Sequence, residues 1–153
     1  MLNYLYIYPE TIVDGEGIRY SIYLAGCRHC CKGCHNPESW NEKAGNPLTD
    51  EKIAEIIKEI NSNPLLDGIT FSGGDPLFNP EEFRKVSGII KKLTKKEIWC
   101  YTGYTFEQIK ADNMLISAIE YVNVLVEGPF ISSLANPTLE YRGSSNQRII
   151  RVR

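Results

Sequence analysis

The chain carries an unusual cluster of thiols. Four of its five cysteines, Cys27, Cys30, Cys31 and Cys34, fall within eight residues. Because the N-terminus shows no secretory signal, this clustering favours metal binding over disulfides. The spacing Cys27-x-x-x-Cys31-x-x-Cys34 lets one loop supply three thiolates to a cubane iron–sulfur cluster, which usually takes four. One iron would then keep an open position for a substrate, as in a catalytic zinc site.

Two other kinds of site compete with this interpretation. A zinc ion could be held by Cys27-x-x-Cys30 and Cys31-x-x-Cys34, but zinc knuckles usually lie about a dozen or more residues apart, so the tetrahedron would be strained. A disulfide is less favoured still, because adjacent Cys30 and Cys31 cannot pair without strain. We therefore favour an iron–sulfur cluster. Spacing alone also allows the trio Cys27, Cys30 and Cys34 as its ligands.

Short apolar strands precede the residues that could do chemistry. RYSIYLAG is rich in aromatic and β-branched residues and stops at Gly26, directly before the cysteines, and a possible edge strand, NYLYIYPE, comes earlier. LLDGITF runs into SGGDPLFNP, EIWCYTG ends in a turn, and YVNVLVEG ends before Pro129. Each predicted strand that follows the edge strand therefore ends in a turn or loop that could form part of a site.

Helical segments alternate with these strands. TDEKIAEIIKEINSN places its isoleucines on one face behind Thr49 as a candidate N-cap. A second helix begins at Asn79-Pro80. Its apolar face holds Phe83, Val86, Ile90 and Leu93. A third helical stretch, residues 105–120, is interrupted near Asp112.

The alternation predicts the fold class. Strand–helix–strand order implies parallel strands with right-handed helical crossovers. A closed barrel of eight units needs about 250 residues, whereas this chain has 153. At roughly 30 residues per βα unit it holds about four to five units. We predict a single α/β domain over residues 1–153, an incomplete TIM-type parallel β/α barrel or else an open sheet, with the strand-end loops on one rim.

Composition narrows the function classes. The net charge is −2, with 42% hydrophobic and 24% charged residues, as expected for one ordinary soluble domain. Acids and bases are interspersed, so no nucleic-acid-binding surface is predicted. Without a long apolar run or a signal peptide, we expect a cytoplasmic protein that does not bind membranes.

Several motifs resemble those of a known family. GCRHCCKGCHNPESW resembles the cluster loop of radical S-adenosylmethionine enzymes, and that resemblance selects Cys27, Cys31 and Cys34 as ligands, leaving Cys30 as a spacer. The wider chain is similar, in order and nearly end to end, to the activating proteins of anaerobic ribonucleotide reductases, which activate a glycyl-radical enzyme. The segments that carry this similarity are IVDGEGIRYSIYLAGC, FSGGDPLF, WCYTGY, VNVLVEGPF and YRGSSNQR.

The resemblance implies a reaction. A [4Fe–4S] cluster on the three cysteines would reductively cleave S-adenosyl-L-methionine to methionine and a 5′-deoxyadenosyl radical. That radical would generate a glycyl radical on the large catalytic subunit of the anaerobic reductase. A reducing electron donor such as flavodoxin or ferredoxin would supply the electron. The three cysteines would thus be both metal ligands and catalytic residues.

The resemblance also implies cofactor contacts. The turn at Gly73 and Gly74 would contact the amino group of S-adenosylmethionine, and Asp75 would orient that turn or cap it. The YTGY turn, with Tyr104, would contact the nucleoside or methionyl part, although two half-buried tyrosines around a turn are an alternative. His29 lies inside the cluster loop and could bond a cluster sulfur or face water.

The remaining predictions concern Cys100, the tail and the rival functions. Cys100 is expected to be a buried small hydrophobe. The resemblance implies that the YRGSSNQR tail closes the site or docks the partner, and a solvated edge is the alternative. The nearest rival function is activation of another glycyl-radical enzyme of the formate-lyase type. A non-enzymatic iron–sulfur electron carrier would instead require a fourth ligand, Cys30 or Cys100. A zinc-binding interaction module is the third alternative.

Overall fold

One β-sheet organises the chain. The computed structural model describes residues 1–29, 31, 33 and 37–153. Within these residues the sheet has seven strands: β1 (Asn3–Thr11), β2 (Arg19–Leu24), β3 (Asn46–Pro47), β4 (Gly68–Gly73), β5 (Glu97–Thr102), β6 (Val124–Glu127) and β7 (Arg148–Arg151). In the same described ranges, four α-helices accompany it: α1 (Asp50–Ser62), α2 (Pro80–Thr94), α3 (Phe106–Lys110) and α4 (Asn113–Ala118). None of the helices described is long and apolar enough to cross a bilayer.

The sheet is mixed. Its strand order is β3-β1-β2-β4-β5-β6-β7. The four central strands, β2, β4, β5 and β6, run parallel. On one side β1 pairs antiparallel with β2 and with the short strand β3, and on the other β7 pairs antiparallel with β6. The parallel centre is therefore flanked by antiparallel strands on both sides.

The predicted incomplete TIM-type barrel of four to five βα units is wrong. Only seven residues, 12–18, join β1 to β2, too few for the crossover of about a dozen residues that parallel pairing requires. The connection from β6 to β7, residues 128–147, contains no α-helix, and β7 returns antiparallel. The βα alternation therefore holds only for the central strands, and the mixed sheet stays open.

The predicted helices are confirmed. In α1 the Thr49 hydroxyl accepts a hydrogen bond from the Lys52 backbone N–H, and Asp50 and Glu51 lie in the first turn, where the helix dipole favours acids. The third helical stretch is divided by Asp112, which caps α4. One residue departs from the predicted pattern: Leu93 is 59% exposed, and Thr94 at the end of α2 takes the inward position.

The main core lies between the sheet and the helices. Alternate residues of the central strands, among them Ile22, Phe71 and Ile98, pack against the apolar faces of α1 and α2. The rings of Phe71 and Phe83 meet edge to face at 5.1 Å. This core holds the parallel strands in register, and the register positions the loops that follow them.

The opposite face of the sheet carries polar and aromatic side chains. Arg19 is 2% exposed, and its guanidinium donates to the Thr70 hydroxyl at 2.8 Å and to three backbone carbonyls. Trp99 lies beside Arg19 and packs edge to face on Tyr141, at 5.5 Å. This face is therefore covered by loop residues such as Tyr141 rather than by an α-helix.

Candidate functional site

The loops that follow the four parallel strands meet around one cavity. Its volume is about 270 Å³, slightly below the usual range of about 300–1,000 Å³ for small-molecule sites. The lining includes Cys27 after β2, Gly74 after β4, Gly103 after β5 and Gly128 after β6. The predicted gathering of these loops is thus confirmed, because the parallel centre brings its carboxyl ends to one edge.

Two of the predicted cluster ligands lie at this cavity. Cys27 and Cys31 both line it, and both are partly exposed. Cys34 and Cys30 fall outside the described residues, as does His35. Two thiols facing one cavity fit an iron–sulfur cluster in chemistry and in placement.

Cys100 has a different environment. Its side chain is fully buried in the core on the helix side of the sheet. Burial, followed by the negative charge of Asp75, raises the pKa of this thiol well above its ordinary value. A thiol that stays protonated is a poor metal ligand, so the interpretation of Cys100 as a small hydrophobe is confirmed.

The Gly73-Gly74 turn lies tightly against the start of the cysteine loop. Gly73 has a φ of +102°, and a Cβ there would stand 2.4 Å from the Leu24 backbone. A Cβ on Gly74 would stand 2.4 Å from the carbonyl oxygen of Gly26. The Gly74 N–H donates to Leu24 O, and the Asp75 N–H donates to Gly26 O, both at 2.7 Å. Glycine is therefore required here for backbone-to-backbone contact.

Asp75 links three loops. Its side chain is almost completely buried. One carboxylate oxygen accepts from Leu77 N at 2.9 Å and so caps the 3-10 turn Pro76–Phe78. The other accepts from the Thr102 hydroxyl at 3.0 Å and from Gly103 N at 2.9 Å, and lies 2.6 Å from His29 Nε2. Asp75 therefore caps its own turn and also ties it to the cysteine loop and to the end of β5.

The sequence did not predict the contact that His29 makes with Asp75. Its Nε2 contacts Asp75 instead of facing water. Its ring meets Tyr104 edge to face, with ring centroids 4.6 Å apart. The only signal in the sequence was a histidine midway between Cys27 and Cys31, and this position does not predict a contact with a residue 46 positions away.

Tyr104 lies beside a neighbouring cavity. That cavity is lined by Arg28, Phe78 and Asp112 among others, and Tyr104 does not line the cavity of Cys27 and Cys31. Burial first, and then the Asp75 carboxylate, raise the pKa of Tyr104. The structure thus places Tyr104 behind His29, and its predicted contact with a cofactor stays a prediction.

The tail forms a further wall of the site. The Gln147 side chain accepts from Gly143 N at 2.9 Å and Ser144 N at 3.2 Å, and donates to Gly128 O at 3.0 Å. The Asn146 side chain donates to Pro129 O at 2.7 Å. Gly143 and Gln147 both line the cavity, so the YRGSSNQR segment helps to close it.

The chain is similar to a family of iron–sulfur domains and to several named proteins. Residues 13–150 match the model of a family described as a 4Fe-4S single cluster domain. The chain is 37% identical to the anaerobic ribonucleoside-triphosphate reductase-activating protein of Pasteurella multocida, over 98% of each chain. It is 37% identical to the protein of the same name from Escherichia coli strain K12, over 99% of this chain and 100% of that one. Identity to the Enterobacteria phage T4 protein of that name is 38%, over 97% of this chain and 93% of the phage protein.

The match to this family model places the chain in the class of single-cluster iron–sulfur domains. The open α/β sheet with thiols at its rim is consistent with that class. Within that class the similarity extends over nearly the whole length of its relatives. The chain belongs to the family of anaerobic ribonucleoside-triphosphate reductase-activating proteins.

Proposed function

We propose that this protein is a radical S-adenosylmethionine enzyme that generates a glycyl radical on the large catalytic subunit of an anaerobic ribonucleotide reductase. The names of its relatives support the choice of target, and the resemblance of its cluster loop to radical S-adenosylmethionine enzymes supports the chemistry. A reducing donor such as flavodoxin or ferredoxin provides the electron.

In this proposal Cys27, Cys31 and Cys34 would hold a [4Fe–4S] cluster. When bound, that cluster would supply the one electron that breaks the S–C5′ bond of S-adenosylmethionine and gives methionine and a 5′-deoxyadenosyl radical. The radical takes a hydrogen atom from a glycine Cα of the partner, which yields 5′-deoxyadenosine and a glycyl radical.

The residues of this chain position the reactants. Gly73 and Gly74 bring the backbone of their turn to the cavity wall beside the thiols. Asp75 fixes that turn relative to His29 and Gly103. The tail, through Gln147, closes part of the cavity and so limits access of water to the reacting groups.

One observation carries the proposal. Cys27 and Cys31 share a single cavity with Gly73 and Gly74, and the two loops are joined by direct backbone hydrogen bonds. A cluster on the thiols and a substrate on the glycine turn would therefore lie side by side. An electron carrier has no need of such a substrate cavity.

The test replaces each cysteine in turn with alanine, with Cys100→Ala as the control. After anaerobic reconstitution with iron and sulfide, we expect Cys27, Cys31 and Cys34 variants to lose the cubane spectrum and the formation of 5′-deoxyadenosine. Cys30→Ala and Cys100→Ala should keep both. Loss of the cluster in Cys30→Ala, or a wild-type cubane that cleaves no S-adenosylmethionine, would contradict the proposal.

The target enzyme is tested separately. The reconstituted protein is mixed with S-adenosylmethionine, reductant and either the large subunit of an anaerobic ribonucleotide reductase or a formate-lyase-type enzyme. We expect a glycyl-radical signal in electron paramagnetic resonance only with the reductase. A signal only with the formate-lyase type would assign the chain to the other target.

A further inference from the structure

The wall of the cavity is rich in glycine. Among the residues that the structure describes, five glycines line the cavity that holds the thiols: Gly73, Gly74, Gly103, Gly128 and Gly143. A radical at a glycine Cα is stabilised by the peptide groups on both sides of it, and the Cα–H bond of glycine is the bond that the proposed function breaks on the partner. The wall therefore offers to a radical in the cavity the same chemical group as its intended target.

This composition makes the protein a target of its own radical. The cavity is small, about 270 Å³, so a radical formed inside it lies close to the wall. When no partner glycine is bound, the wall is the nearest source of hydrogen atoms. Gly74 holds its turn against β2 by donating its N–H to Leu24 O at 2.7 Å. A carbon radical at such a position reacts with oxygen and breaks the backbone, so the wall glycines need a competing hydrogen donor.

Tyr101 carries such a donor. It lines the same cavity, and its hydroxyl oxygen is buried and has no hydrogen-bond partner among the described residues. Burial, followed by the negative charge of Asp14, raises the pKa of Tyr101 well above its ordinary value, so the phenol keeps its proton. Buried hydroxyls nearly always have a partner. The O–H bond of Tyr101 is therefore both present and unusually free.

Other tyrosines near the cavity differ in this respect. The Tyr23 hydroxyl donates to the Asp14 carboxylate, 2.9 Å from each of its oxygens. A phenol whose hydrogen is held by an acceptor gives that hydrogen to carbon radicals slowly. Tyr141 also lines the cavity, but its hydroxyl is not a buried group without a partner. Tyr101 is thus the reactive phenol of the described wall.

We propose that Tyr101 is a catalytic residue of a second, protective reaction, in which it quenches the adenosyl radical when no partner is bound. The hydroxyl hydrogen atom of Tyr101 moves to C5′, which yields 5′-deoxyadenosine and a phenoxyl radical on Tyr101. The transfer is downhill because the phenol O–H bond that breaks is weaker than the primary C–H bond that forms. One electron from the reducing donor and one proton from solvent then restore the phenol. The inference rests on the proposed function, because that function supplies the radical.

The source of the transferred hydrogen is tested by isotope content. Cluster-loaded protein turns over S-adenosylmethionine in D2O with titanium(III) citrate as reductant, without partner and without added thiols. Hydroxyl hydrogens exchange with solvent, whereas glycine Cα hydrogens do not. We expect mass spectrometry to find deuterium in the 5′-deoxyadenosine from wild type and to find it lost in Tyr101→Phe. Tyr20→Phe is the matched control, because Tyr20 is buried on the helix side and its hydroxyl donates to Glu59.

Chain integrity gives a second measurement that does not depend on activity. After the same turnover, oxygen is admitted and the protein is analysed by mass spectrometry. We expect fragments that end at the wall glycines in Tyr101→Phe, and an intact chain in wild type and Tyr20→Phe. Unchanged cluster absorbance in Tyr101→Phe shows that the variant is folded.

The two measurements separate this inference from the proposed function. Deuterium that persists in Tyr101→Phe, or that is lost only in Tyr141→Phe, overturns the role of Tyr101 alone. Equal fragmentation of Tyr101→Phe and wild type overturns the protection of the wall. A cluster-loaded wild-type protein that forms no 5′-deoxyadenosine overturns the proposed function and this inference together.

Discussion

At the scale of single residues, Asp75 is the centre of the site. It is a buried carboxylate without a lysine or arginine partner in the described part of the chain, and it is satisfied by two backbone N–H groups, a hydroxyl and an imidazole. Such charge-assisted hydrogen bonds are stronger than neutral ones. The sequence left open whether Asp75 orients the glycine turn or caps it. Its contacts do both, because it caps its own turn and ties that turn to two other loops.

Asp75→Asn is expected to destabilise the protein by about 2–3 kcal/mol. In the variant, the NH2 group of the amide would face N–H and O–H donors whose hydrogen bonds the Asp75 carboxylate accepts in the wild-type protein. The free energy of unfolding in urea measures this. Asp112→Asn is the matched control: Asp112 caps α4 at an exposed position, and asparagine caps a helix about equally well. Equal stabilities of the two variants would show that Asp75 is not a structural link.

Phe71, His29 and Leu93 show how far single positions can be predicted. The burial of Phe71 follows from its apolar strand. The contact of His29 with Asp75 does not, because it joins residues far apart in sequence. Leu93 was predicted to be buried from its spacing, but position 94 faces the core at the end of α2, since helical spacing locates a face only to within about one residue at a helix end.

At the scale of elements, the packing of α1 on β2 includes one polar link. Tyr20 of β2 is buried among apolar residues, and its hydroxyl donates to Glu59 of α1 at 2.8 Å. Burial, followed by this hydrogen bond, raises the pKa of Tyr20 above its ordinary value of 10.0. The hydrogen bond between the strand and the helix therefore requires the protonated phenol of Tyr20.

This link predicts a pH dependence of stability. Because the folded pKa of Tyr20 exceeds the unfolded one, the contribution of the buried phenol is complete below about pH 10 and is lost as the pH rises further. Above about pH 10, each such tyrosine lowers the free energy of unfolding by up to about 1.4 kcal/mol per pH unit. We expect urea unfolding between pH 9 and 11 to show a shallower loss of stability in Tyr20→Phe than in wild type. Parallel pH profiles for the two proteins would rule out this contribution.

At the scale of the whole molecule, the open sheet leaves the site to be closed by the tail. Residues 128–147 return over the rim, and β7 then pairs with β6. Arg148 anchors that strand through the buried Glu127 at 2.9 Å and the exposed Glu107 at 2.7 Å. Because the tail is held by a few polar contacts, it can be loosened without unfolding the sheet.

Gln147→Ala is expected to loosen the tail locally. The loss of its side-chain oxygen frees the amides of Gly143 and Ser144, which should exchange their hydrogens with solvent about tenfold faster. Hydrogen exchange read by mass spectrometry of residues 129–147 measures the effect, and β4 and β5 should remain protected. Gln108→Ala, in the exposed cap of α3, is the control and should leave the tail unchanged. An unchanged rate of hydrogen exchange in residues 129–147 of Gln147→Ala would contradict the role of Gln147 in holding the tail closed.

The local features of the chain could be predicted from its residues alone: the thiol spacing, the helices and their caps, and the strands that end in glycine turns. These follow from periodicity and capping, which act within a few residues. Three other features became visible only in the folded chain: the outer strands run antiparallel, Asp75 joins three loops, and Tyr101 lines the cavity. Each of these features depends on which segments meet across the sheet. The short connection from β1 to β2 and the return from β6 without a helix make the outer strands antiparallel, so the sheet does not form a barrel.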